Sequence, residues 1–192
     1  MLDKVLSAKY ILASKSPRRK HLLKQLGFDF QVAESNAREV SGKIPHISVR
    51  TNAQRKSRAV AHNYKDRIVI SADTVVYLNN RILNKPRNLK EAAKFLRILS
   101  GKKHIVYTGV NVLNNVTGKE KYGHEKTTVE FRNLTDEEIN YYVKKFKPLD
   151  KAGAYGIQED FGCLFIAKIT GDYYNVVGLP LVKLYELIQS TF

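Results

Sequence analysis

Residues 67–78 form a long run dominated by strand formers, and it continues through Asn79-Asn80 into Arg81-Ile82-Leu83. Paired asparagines tolerate the left-handed backbone of a two-residue turn. The stretch therefore predicts a long strand folded back on a short one. Tyr10-Ile11-Leu12-Ala13 reads as a short buried strand, and residues 103–113, 126–132 and 163–169 read as further strands, with a turn-rich loop at 114–119. Helical patterns lie between them. Val49, Ala53 and Val60 recur at helical spacing over residues 47–62. Asn88 with Glu91, and Thr135 with Glu138, carry capping-box signatures, and Pro180 opens a last helix through Leu181, Leu184, Leu187 and Ile188. Uneven alternation with hairpin-linked strands predicts an α/β fold, a mixed twisted sheet flanked by helices. With 192 residues and no internal repeat, the chain suits one domain spanning 1–192.

Three places contradict their local surroundings. Ser16 and Pro17 are N-cap and first-turn residues for a helix carrying Leu22, Leu23 and Leu26 and ending at Gly27. Helix starts favour anions, yet this one is flanked by Lys15, Arg18, Arg19 and Lys20. A phosphate chain at the helix mouth would resolve the conflict; a solvated basic turn is the other reading. Lys56 falls within the apolar stripe of its helix, so it either snorkels to solvent or reaches an anion in a cleft. Asp73 interrupts Ile68-Val69-Ile70-Ser71-Ala72 and Thr74-Val75-Val76. A carboxylate there needs a cation, a metal or strong donors, and such a position suits holding a divalent ion or activating a water; a bulge or edge is the alternative.

Net charge is +15, from 33 Lys and Arg against 18 Asp and Glu, scattered along the chain rather than gathered in a block. An anionic ligand or a generally basic surface accounts for that distribution better than a nucleic-acid stripe. The single cysteine, Cys163, excludes an intramolecular disulfide and a cysteine-based zinc site. Its apolar neighbours Leu164, Phe165 and Ile166 predict a buried structural thiol. Residues 1–13 lack a signal-peptide core and no apolar run approaches a membrane span, so the expectation is a soluble cytoplasmic protein.

Taken in order, Leu12-Ala13-Ser14-Lys15-Ser16-Pro17-Arg18-Arg19, Ala72-Asp73-Thr74-Val75-Val76, Leu83-Asn84-Lys85-Pro86, Leu99-Ser100-Gly101, Tyr107-Thr108-Gly109-Val110, residues 150–158 and residues 175–181 form a nearly end-to-end set. That set resembles the Maf family of nucleoside triphosphate pyrophosphatases. The resemblance implies two lobes around a nucleotide-binding cleft. It also implies hydrolysis between the α- and β-phosphates with the help of a divalent cation, Mg²⁺ or Mn²⁺. Carried over by position, Asp73 is the proton acceptor and holds the metal with Glu39. Ser14, Arg18, Lys56 and Lys85 handle phosphate, while Arg19, Thr74 and Gln158 choose the base. Lys151-Ala152-Gly153-Ala154-Tyr155-Gly156-Ile157-Gln158 is similar to the dTTP/UTP branch, but Glu159-Asp160 follow where that branch usually has glycine. The expected partner is a nucleoside triphosphate, with no membrane and no nucleic acid, and the resemblance admits a homodimer. Two other functions stay open at this level: a pyrophosphatase for modified or non-standard nucleotides, and a non-enzymatic basic regulator of cell division.

Overall fold

A computed structural model of the chain describes residues 1–40 and 42–192; Ser41, inside the polar loop 35–42, lies outside the described residues. The elements are α1 (Leu2–Ser7), β1 (Lys9–Leu12), α2 (Pro17–Gln25), β2 (Asp29–Val32), α3 (Pro45–Ala61), β3 (Ile68–Leu78), β4 (Arg81–Leu83) and α4 (Leu89–Leu99). They continue with β5 (Lys103–Asn114), β6 (Lys119–Phe131), α5 (Asp136–Phe146), β7 (Ile166–Thr170), α6 (Tyr173–Val177) and α7 (Leu181–Gln189). Short 3₁₀ turns occupy Ala152–Ala154 and Phe161–Phe165. The strands form one mixed sheet in the order β2-β1-β3-β5-β6-β7, with β4 paired to β3. β1 runs parallel to both β2 and β3, and the remaining pairs are antiparallel. Asn79 and Asn80, at φ 48° and 59°, make the tight turn between β3 and β4.

The period-2 alternation of β3 sorts its side chains onto two faces. Val69 packs with Ile11, Ala13, Val60 and Ala61 under α3, and the Ser71 hydroxyl donates to the Ala53 carbonyl at 2.6 Å on the same side. The opposite face carries two separate cores. Ile68, Ile70 and Ala72 join Val110, Val112, Leu22, Leu23 and Leu184 in one, while Val76 and Leu78 join Val106, Leu96, Val129 and Phe165 in the other. Thr74 and its register partner Thr108 fall in the gap between them. That polar break is where the cleft opens. Gly109 lets α3 approach the sheet, because a Cβ there would lie 2.9 Å from the Val49 carbonyl oxygen.

Three expectations need correction. β6 begins at Lys119 rather than near residue 126 and pairs with β5 from Lys119 to Glu130. Residues 119–125 lack an apolar alternation, so backbone pairing rather than burial sets their conformation. Residues 163–169 are not one strand. Residues 161–165 form a 3₁₀ turn, where spacing of three buries Gly162 and Phe165, and only from Ile166 does a strand begin. Cys163 is consequently exposed, not a buried structural thiol. The sequence reading also lacked α1, β2 and α6.

Candidate functional site

The break in β3 opens into a cavity of about 320 Å³ whose lining includes Ser14, Lys15, Arg18, Arg19, Glu39, Lys56, Asp73, Thr74, Lys85 and Lys151. Positive side chains from α2, α3 and the loops after β4 and α5 thus share one space with three carboxylates, Glu39, Asp73 and Asp150. Asp73 is 6% exposed. Its Oδ2 accepts from Asn52 Nδ2 at 2.8 Å and its Oδ1 accepts from Lys56 Nζ at 2.7 Å. Asn52 and Lys56 are one turn apart on α3, so the helix presents both donors to one carboxylate. Asn52, absent from the sequence reading, is an unremarkable polar helix residue until the register with β3 is known. The Lys56 ammonium also meets Glu39 Oε1 at 2.6 Å, leaving one of its three N–H groups for a ligand. Lys85, largely exposed, stands 3.8 Å from Glu39. Burial pushes the Glu39 carboxyl up, but Lys56, then Lys85 and Arg19, outweigh it and hold its pKa below the ordinary value.

Arg19 is buried and ties the cavity floor together. Its Nε donates to the Gly178 carbonyl at 2.8 Å, and Nη1 donates to Ser14 Oγ at 3.1 Å and to the Ala72 carbonyl at 2.9 Å. Nη2 donates to Thr74 Oγ1 at 3.0 Å. No carboxylate contacts this guanidinium among the described residues. Burial lowers its pKa to about 10, against the opposing pull of Asp73, so it stays charged at neutral pH and leaves net positive potential on the floor. Ser14 Oγ also accepts from the Ser16 N–H at 3.2 Å, which shapes the turn leading into α2.

Arg18 sits across the mouth, where Nη1 meets Asp150 Oδ2 and Glu159 Oε1, each at 2.8 Å. Lys151, 7% exposed, lies 3.1 Å from Asp150 and 3.5 Å from both Glu159 and Asp160. Burial opposes the Arg18 charge, yet the hydrogen bonds it donates to Glu159 and Asp150 raise its pKa overall. Lys151 escaped the sequence reading because a lysine opening a glycine-containing loop carries no periodic signal. One expected placement differs: Gln158 is exposed and does not line the cavity. Of the cations at the start of α2, Lys20 is exposed and outside the lining.

Whether the donor set suits a divalent ion can be judged from its geometry. Glu39 Oε1 and Asp73 Oδ1 both lie within hydrogen-bond distance of Lys56 Nζ, so two hard oxygen donors sit close together, with the ammonium at the point between them. Among the described residues no cluster of three or more His, Cys, Asp or Glu side chains has metal-binding geometry. Two carboxylates completed by phosphate oxygens and water fit Mg²⁺, which seldom takes an all-protein cage.

A family model described as "Maf-like protein" matches residues 9–191. A dTTP/UTP pyrophosphatase of Caldanaerobacter subterraneus is 46% identical over 186 residues, covering 96% of this chain and 89% of the relative. One from Moorella thermoacetica is 48% identical over 183 residues, with 94% of each chain covered. Among solved structures, a HAM1 protein from Coxiella burnetii is similar at a TM-score of 0.46 and 14% identity, over 65% of this chain and 73% of that one. No helix among the described residues is long and apolar enough to cross a membrane.

Proposed function

The chain belongs to the Maf family, and from that premise we propose that it hydrolyses dTTP and UTP between the α- and β-phosphates. The products are the nucleoside monophosphate and pyrophosphate. One observation carries the reading: Asp73, Lys56 and Glu39 are linked within a cavity that also holds Lys15, Arg18, Arg19 and Lys85. Phosphoryl transfer depends mainly on positioning and charge neutralisation, and this lining supplies both.

Asp73 is assigned as the base. Asn52 and Lys56 fix the orientation of its carboxylate, which accepts the proton of a water attacking the α-phosphorus. Lys56 offers its third N–H to the phosphoryl oxygens, Lys85 and Lys15 neutralise the outer phosphates, and Ser14 with the start of α2 receives the chain. Arg18 joins them by exchanging Asp150 and Glu159 for phosphate. Glu39 and Asp73 would hold the divalent cation, which when bound supplies further charge neutralisation at the phosphoryl oxygens. The base lies toward the apolar end, near Val106, Tyr155 and Val176, with Arg19 and Thr74 beside it.

A panel of standard and modified nucleoside triphosphates, assayed for pyrophosphate release with Mg²⁺ and with Mn²⁺, tests this reading. dTTP and UTP are expected to lead the panel. Turnover confined to modified bases would move the substrate assignment, and no release from any member would remove the activity.

A further inference from the structure

Four groups cross the polar break as a chain of hydrogen bonds. Arg19 Nη2 donates to Thr74 Oγ1 at 3.0 Å, Thr74 Oγ1 and Thr108 Oγ1 lie 3.0 Å apart, and Thr108 Oγ1 donates to the Asn175 carbonyl at 2.9 Å. The middle bond has no direction of its own, but its neighbours impose one. A guanidinium can only donate and a carbonyl can only accept. Thr108 spends its single proton on Asn175, so it must accept from Thr74. Thr74 then spends its own proton on Thr108. What remains of the Thr74 hydroxyl for a ligand is a lone pair.

Its residue remains in contact with the cavity. Thr74 lines the wall and is only partly buried, whereas Thr108 and Asn175 are both 0% exposed. Gly178, at φ 116°, faces it. A Cβ on that residue would come within 3.3 Å of Thr74 Oγ1 and 3.8 Å of the Arg19 guanidinium, so glycine leaves the approach clear.

We infer that Thr108 is a positioning residue that holds the Thr74 hydroxyl as an acceptor, selecting a pyrimidine whose N3 carries a proton over one whose N3 does not. Thymine and uracil present N3–H, and cytosine presents a bare lone pair that would meet the Thr74 oxygen with no hydrogen between them. An acceptor opposite the exocyclic position would instead favour the cytosine amino group, so preference for thymine and uracil sets Thr74 opposite N3. The inference rests on the proposed base end of the cavity and deepens it. Discrimination follows from a donor-acceptor mismatch at a partly dry site rather than from shape.

The test compares wild type, Thr108→Val and Thr108→Ser by kcat/KM for dTTP and dCTP with Mg²⁺, and by calorimetric Kd for dTMP and dCMP. Wild type is expected to favour thymine in both measurements. Thr108→Val frees the Thr74 proton, and the thymine-to-cytosine ratio should fall about five- to tenfold, through better acceptance of cytosine. Thr108→Ser should restore the ratio to within about twofold. If Thr108→Val does not fold, Thr108→Cys, a weak donor of similar size, should lower the ratio by about threefold. Equal losses for both bases, a serine variant that behaves like valine, or a wild type without thymine preference would each overturn the inference. A protein that prefers dTMP to dCMP yet cleaves neither triphosphate would instead remove the proposed activity and leave the role of Thr108 standing.

Discussion

Lys56 touches both Glu39 and Asp73, and the consequences can be separated by substitution. Burial is the largest influence on Glu39 and acts upward; Lys56 is the main reason its pKa nevertheless sits low. Lys56→Met should therefore raise the Glu39 titration, read from its carboxyl carbon by NMR, and an unmoved titration would remove Lys56 as the cause. Because the folded-state pKa is depressed, the Glu39 pairing supports the fold above the ordinary carboxylate range. That support disappears as pH falls through the lowered value. The same variant should lose about 10²–10³-fold in kcat, since a donor aimed at developing phosphoryl charge is gone. Asp73→Asn should cost about 10²–10⁴-fold in kcat and about 1–3 kcal/mol of stability with the fold retained, because the amide keeps the volume but turns an N–H toward Asn52 or Lys56; near-wild-type turnover would remove Asp73 as the base. Lys56 and Asp73 were legible because each contradicts its element. Lys151 and Asn52 were not, since their environment depends on contacts from distant segments.

At the scale of elements, α3 sets the geometry of Asp73, and Gly109 sets the distance of α3 from the sheet. A methyl at Gly109 would meet Val49 backbone, which cannot rotate away. Gly109→Ala should thus shift α3, destabilise the fold by about 1–3 kcal/mol and lower kcat with it. If chemical denaturation shows no loss of stability and activity persists, the helix is less tightly seated than the contact requires. α5 offers a control away from the cleft. Thr135 Oγ1 accepts from the Glu138 N–H at 3.2 Å and Glu138 returns to the Thr135 N–H at 2.8 Å. Thr135→Ala should cost about 1 kcal/mol, or about 2–4 °C in Tm, without touching kcat. Arg132, then the Thr135 N–H, lowers the Glu138 pKa to about 2, so this cap's contribution fades as pH drops from about 4.5 toward 2. Capping signatures were readable because they are local chemistry. The polar half of β6 was not, since its conformation is fixed by pairing with β5.

Across the whole molecule, one face of β3 and β5 carries two apolar cores with a polar belt between them, and the cleft lies where neither core closes over the sheet. The division was legible only in part: Asp73 and the helix-start cations marked the cleft, while the belt of Thr74, Thr108 and Asn175 required register. Net charge of +15 alone did not locate it. A ligand bridging the two sides should stabilise the whole fold, because it binds the native arrangement and not the unfolded chain. At 100 times its Kd such a ligand contributes about 2.7 kcal/mol, equivalent to about 5–10 °C in Tm for a chain of this size. With Mg²⁺ and α,β-methylene dTTP, which resists cleavage at the proposed bond, wild type should show that rise. The rise should shrink in Lys56→Met, where one phosphate donor is lost, and persist in Thr135→Ala, whose lower starting Tm arises elsewhere. Equal shifts in all three proteins would mean that the nucleotide binds away from the cavity, and the charge gathered around Asp73 would need another ligand.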